Sequence, residues 1–150
     1  WKFPEKTDLE IYCTTWSYFE NWDPYRNYLV AKEHCGLETE EDTNSGTFTN
    51  FAQNDQALYI LHTYMMYIKL GFGRALQDAG IEIRRGAMSR DQGVNLVKLY
   101  DGTYPEPFIE KYLEYYGMNR EAFDKVIDKW ANKDLFKKEG KVWKPNFTIK

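Results

Sequence analysis

Cysteine and histidine are scarce, with Cys13, Cys35, His34 and His62 making up the whole supply in 150 residues. Four such residues so dispersed do not assemble a tetrahedral Cys/His zinc site. Two cysteines allow at most one bridge, and the absence of a disulfide framework fits a reducing compartment, here the cytoplasm. Long apolar runs are also missing: Lys69 interrupts the best candidate, ALYILHTYMMYI, well short of the roughly 18 residues that a membrane span needs. Net charge is only -3, so no overall basic field draws the chain towards nucleic acid or anionic lipid. Also missing are a complete P-loop, an HExxH pair and a serine, histidine and acid set.

What is present is a globular balance. Hydrophobic residues make 43% and charged residues 29%, too apolar for a disordered chain. An aromatic share of 17% points to a tightly packed small core or a large partner surface. About 150 residues bury roughly two-thirds of their unfolded surface without metals or disulfides. The first residue is Trp1 rather than Met, and the chain reads as a portion of a longer polypeptide. Asn146-Phe147-Thr148 matches a glycosylation triplet, but no secretory signal accompanies it.

The helix signals are local and frequent. Near the start, LEIYCTTWSYF is β-prone and predicts a strand or an extended arm. Asp23-Pro24 starts a helix that Gly36 closes, and residues 37–49 read as a loop. From Asp55 to Leu70, Leu58, Leu61, Met65 and Ile68 recur at helical spacing, with Tyr59, Tyr64 and Tyr67 broadening the stripe. His62, among them, reads as a core histidine. A capping box at Ser89 to Gln92 starts another helix, which stops at Asp101-Gly102. Further helices are expected over residues 107–116 and after Asn119, followed by a hairpin at Glu139-Gly140. The fold class is therefore mainly α, with five or six helices in one domain spanning 1–150 and minor β in the N-terminal arm and C-terminal hairpin.

The segment KLGFGRALQDAGIEIRRG, residues 69–86, carries the candidate chemistry. Gly71-Phe72-Gly73 opens like a dinucleotide fingerprint, but Leu76 stands where the third glycine belongs and a helix precedes it where a strand is required. A helix kink with close packing is the simpler reading. With the chain helical beyond Gly73, Arg74, Asp78 and Glu82 stack on one face, while Phe72, Leu76, Ala79 and Ile83 form another. Such a row is ordinarily a solvated face with weak ion pairs. Its place at a paired-glycine break, close to Arg84, Arg85 and Arg90, also suits phosphate binding beside a proton-accepting acid.

The order of WDPYRNYLVAKEHCG, GTFTNFAQNDQ, HTYMMYIKLGFGRALQDAGIEIRRGAMSRDQGVNLVKLYDGTYPE, FDKVIDKW and LFKKEGKVWK resembles the N-acetyl sugar amidotransferases of bacterial surface-polysaccharide biosynthesis, enzymes related to lipopolysaccharide O-antigen and pseudaminic-type sugar pathways. The resemblance implies an enzyme of carbon–nitrogen ligase type in which this chain is the C-terminal helical part. An N-terminal ATP-pyrophosphatase domain, with ATP and Mg2+, would adenylate the acetamido oxygen of a nucleotide-linked sugar. Ammonia from a glutaminase and a cyclase-like partner would then displace AMP, leaving an acetamidino group. The chain itself has no Ser-Gly-Gly-x-Asp-Ser loop.

A second likeness concerns roles. Asp78 followed by Glu82-Ile83-Arg84 looks like the acidic and E-x-R elements of asparagine-synthetase-type enzymes. It implies Glu82 as proton acceptor and Asp78 as the residue that orients Arg74. Lys69, Gly71, Gly73, Arg74, Arg84, Arg85 and Arg90 would then bind phosphate or substrate. The sequence departs from the family at Ala79-Gly80, where Ala-Ser is expected, and so lacks a hydroxyl there. The competing reading is a non-catalytic module that docks the ammonia-supplying partner or a second protomer.

Overall fold

The computed structural model describes residues 8–52 and 57–150. It is mainly α-helical, with six α-helices and one antiparallel hairpin, and the chain divides into two compact units that meet at Leu37 and Glu38.

In the first unit, α1 spans Pro24–Cys35. It begins as its sequence dictates: the Asp23 carboxylate accepts from the Arg26 N–H at 2.9 Å, and Pro24 occupies the first turn. Gly36 ends it in the left-handed region at φ 67°. The expected strand upstream does not form. Residues 10–15 lack regular structure, and Trp16–Tyr18 make a single 3₁₀ turn. A β-prone sequence needs a ladder partner, and the described residues of this unit offer none. No described residue of the unit is buried.

The second unit holds the core. Its helices are α2 (Ala57–Leu70), α3 (Arg74–Arg84), α4 (Arg90–Tyr100), α5 (Ile109–Tyr116) and α6 (Arg120–Trp130). Strands β1 (Phe136–Glu139) and β2 (Val142–Pro145) pair with Phe136 opposite Pro145 and Lys138 opposite Trp143. The expected start of the second helix at Asp55 lies outside the described residues. Tyr64, Tyr67 and Ile68 of α2 pack with Ile109, Tyr112, Phe123, Ile127, Phe136 and Trp143. Edge-on ring pairs set the spacing, with Tyr67 5.0 Å from Phe136 and Tyr64 5.1 Å from Tyr104. Burial pushes the Tyr64 and Tyr112 hydroxyls up to about 12. His62 is a correction: it faces solvent, with its ring 5.7 Å from that of Tyr59. The helical stripe rotates it away from Leu61 and Tyr64, which take the buried positions.

The glycine pair makes a full break where a kink is expected. Helix α2 stops at Leu70, Gly71 turns at φ 86°, and Gly73 is the extended residue ahead of α3. The positive φ at Gly71 cannot continue a right-handed helix, so the chain starts a second one. That turn delivers Arg74 at the first position of α3.

Candidate functional site

Helix α3 buries an unusual face. Ala75, Asp78 and Ala79 are buried, whereas Leu76 is 41% exposed. Hydropathy alone would turn Leu76 inward and Asp78 outward. Asp78 tolerates burial because each oxygen has a strong donor. The Thr47 hydroxyl donates to its Oδ2 at 2.6 Å, and Arg74 Nε donates to its Oδ1 at 2.8 Å. Arg74 Nη1 donates in turn to the Tyr59 hydroxyl. Burial acts to lower the Arg74 pKa, but the hydrogen bond and charge of Asp78, with help from Tyr59, raise it overall. The guanidinium is thus fixed by two side chains and fully charged.

The N-terminus of α3 is held by Asp101, which lies just beyond α4. Its Oδ2 accepts from the Gly73 N–H at 2.9 Å and its Oδ1 from the Ala75 N–H at 2.8 Å. This carboxylate fills the anion seat that a helix N-terminus offers. A Cβ at position 73 would stand 2.6 Å from Asp101 Oδ1, so glycine is required for the approach. Burial raises the Asp101 pKa above the ordinary carboxylate value, outweighing the amides of Gly73, Ala75 and Leu76 that stabilise its charge. The Ala75 N–H also donates to the Gly46 carbonyl at 3.1 Å, which ties the loop before α2 to the same helix end.

The expected site residues fall into separate groups. Arg74 and Asp78 are brought together with Thr47 and Tyr59. One turn further along α3, Glu82 pairs with Arg85 at 2.7 Å, both carboxylate and guanidinium half-buried. Arg84 is exposed at the end of α3, with its guanidinium near Gly80. Ala79-Gly80 lies inside α3. Gly71 is enclosed by the side chains of Leu135 and Phe147. Lys69 sits 4.7 Å over the Trp130 ring, and Arg90 donates to the main-chain oxygen of Lys150. Arg74, Asp78 and Glu82 therefore follow one helical row, while Lys69 and Arg90 are engaged with other elements.

A cavity of about 940 Å³ opens beside Arg74. Its walls come from the loop around residues 40–47, the first turn of α2 with Tyr59, the end of α4 with Tyr100, then Thr103, and Phe108 and Lys111 leading into and on α5. Sequence reasoning missed Thr47, Tyr59, Asp101 and Lys111 as parts of this region. Asp101 had a signal, since an aspartate directly after a helix can cap a neighbour, but only the fold reveals which helix it caps. Among the described residues no cluster of three or more His, Cys, Asp or Glu side chains could hold a metal.

Fold and site together define a helical domain that presents a fixed arginine at the wall of a cavity. Residues 45–149, more than half of the chain, match the LPS biosynthesis protein WbpG-like C-terminal domain. The chain belongs to that family of lipopolysaccharide biosynthesis proteins. No curated protein sequence matches it. Among the described residues no helix is long and apolar enough to cross a membrane.

Proposed function

We propose that the chain is the C-terminal part of a cytoplasmic, ATP-dependent amidotransferase that converts an acetamido group of a nucleotide-linked sugar into an acetamidino group. The observation that carries this reading is the row on α3, in which a doubly anchored Arg74–Asp78 pair precedes Glu82 on one helical face, with Arg74 at its start lining a cavity. Membership of a lipopolysaccharide biosynthesis family supports the pathway.

In this reading a preceding pyrophosphatase domain binds ATP and Mg2+ and activates the substrate. The acetamido oxygen attacks the α-phosphorus and releases pyrophosphate. Ammonia from a glutaminase and cyclase-like pair then adds its lone pair to the activated carbon. The carbon–oxygen bond breaks, AMP leaves, and Glu82 accepts a proton from the attacking nitrogen. Arg74 would stabilise the departing negative charge, while Asp78 holds the arginine in place.

The test is to incubate the complete enzyme with ATP, free ammonium and a nucleotide-linked acetamido sugar. Formation of the amidine with equal amounts of AMP and pyrophosphate is the expected result. Consumption of ATP with release of ADP would overturn the chemistry.

A second reading is favoured by the exposed aromatic and aliphatic surface of residues 8–37, where Tyr12, Trp16 and Tyr18 are each more than 70% exposed. Surface of this kind marks a docking face for the ammonia-supplying subunits or a second copy. Sedimentation velocity discriminates: concentration-dependent association of the chain supports the module reading. A monomer that also fails to bind the glutaminase pair removes it.

A further inference from the structure

We infer that the adjoining C-terminal ends of α2 and α6 form a docking surface for an anionic lipid bilayer. Trp130 and Leu70 enter the headgroup region, and Lys69, Lys129 and Lys133 meet the lipid charge. The inference stands apart from the amidotransferase reading and needs none of the residues assigned to that chemistry.

Two helix ends meet here. The Asn132 N–H donates to the Ile68 carbonyl at 2.9 Å, which ties the turn after α6, and Lys133 with it, to the last turn of α2. Lys69 holds its ammonium group 4.7 Å from the centre of the Trp130 ring, and Lys129 holds its own at 5.6 Å. Lysines in the last turn of a helix oppose its negative end, which accounts for the charge of Lys69 and Lys129. It does not account for the apolar groups beside them. Trp130 is 47% exposed, Leu70 51%, and Val126, one turn earlier on α6, 39%. Helix α6 buries Phe123 and Ile127, so its contact with the core is made without Trp130.

Charge and residue type select the occupant. Among the described residues the lysines in ion pairs are Lys125, Lys138 and Lys144, so Lys69, Lys129 and Lys133 keep their charge. Asp128 is engaged by Lys138 and the Trp143 indole, and Asp134, exposed beside Lys133, offsets one of the three. A local positive excess therefore sits on a chain of net charge -3. Screening over about 8 Å at physiological salt keeps the acidic remainder from cancelling the patch. The cations are lysines with no arginine among them. Protein–protein interfaces are depleted in lysine, and a fixed phosphate or carboxylate is best read by a bidentate guanidinium. A lysine is a hydrated point charge on a flexible stem, which suits the diffuse charge of a lipid surface. Tryptophan and leucine suit the boundary between headgroups and acyl chains, and peripheral binding strengthens with both buried apolar area and attraction to anionic lipid.

The test is co-sedimentation of the full chain with vesicles of mixed phosphatidylglycerol and phosphatidylcholine, and with vesicles of phosphatidylcholine alone. Each lysine near an anionic surface contributes about fivefold to partitioning, so anionic vesicles should bind the chain about tenfold or more tightly than neutral ones. That binding should fall as salt is raised from about 0.05 to about 0.5 M. Lys69→Gln combined with Lys129→Gln should weaken it by about tenfold or more, while Lys69→Arg combined with Lys129→Arg retains it. The arginine pair separates lost charge from a disturbed fold. Lys32→Gln combined with Lys98→Gln, at exposed positions elsewhere, should leave binding unchanged. Brominated lipid then reports which indole enters: it should quench the fluorescence of the wild type, and the quenching should largely vanish in Trp130→Phe. Equal binding to neutral vesicles or undiminished binding of the Lys69→Gln, Lys129→Gln variant overturns the inference. Quenching that persists in Trp130→Phe also overturns it, by assigning the contact to another exposed tryptophan such as Trp16 or Trp22. A polyglutamate peptide that binds this patch more tightly than the vesicles do would make an acidic protein segment the occupant, and overturns it as well.

Discussion

Gly102 shows how one residue fixes the ground beneath the site. It turns the chain after α4 at φ 78°, and a Cβ there would stand 2.3 Å from a Tyr67 ring carbon. Both the backbone conformation and the space demand glycine. Gly102→Ala is therefore expected to cost about 3 kcal/mol through strain and overpacking, read as a lower denaturation midpoint in urea. A loss within 0.5 kcal/mol, roughly the level of a neutral surface substitution, would contradict the packing described here. The sequence marked position 102 as a helix stop. It could not show that the ring of Tyr67, thirty-five positions earlier, closes over it. Asp78 taught the same lesson in reverse: its charge favoured a solvated face, and only Thr47 and Arg74 together make its burial tolerable.

At the scale of elements, local chemistry was legible and long-range pairing was not. The caps at Asp23, Ser89 and Asn119 each accept the hydrogen bond that their sequence implies, and Gly36 and Gly117 end their helices in the left-handed region. These signals act within one turn, so spacing reveals them. The N-terminal arm had β-prone residues but no partner strand, which propensity cannot supply. The latch between α4 and α3 through Asp101 spans twenty-six to twenty-eight positions and was invisible for the same reason.

That latch has a pH signature. Because the folded pKa of Asp101 is raised, the folded state holds this proton more tightly than the unfolded state does. The contribution from this proton is fully present below the ordinary carboxylate value and is lost as pH rises through the raised one. Asp101→Asn keeps one acceptor oxygen but sets an amide against the second N–H, and should cost about 1–2 kcal/mol. The stability difference between wild type and Asp101→Asn, followed by urea denaturation, should shrink as pH rises through that window. A difference that grows instead would show the folded pKa to be lowered.

For the whole molecule, the central claim is that the charged row on α3 supplies part of an active site rather than a solvated face. Arg74 and Asp78 are integrated into the fold, and changing either one leaves the other's buried charge unpaired, which confounds stability with activity. Glu82 is the cleaner position. Its half-buried carboxylate pairs with Arg85, so the isosteric Glu82→Gln should cost no more than about 1–2 kcal/mol. The decisive measurement is the rate of amidine formation from free ammonium by the complete enzyme carrying Glu82→Gln. A proton acceptor at this position predicts a fall in kcat of about a hundredfold or more with the fold intact. A rate within about twofold of wild type, well below what general-base catalysis contributes, would contradict the claim.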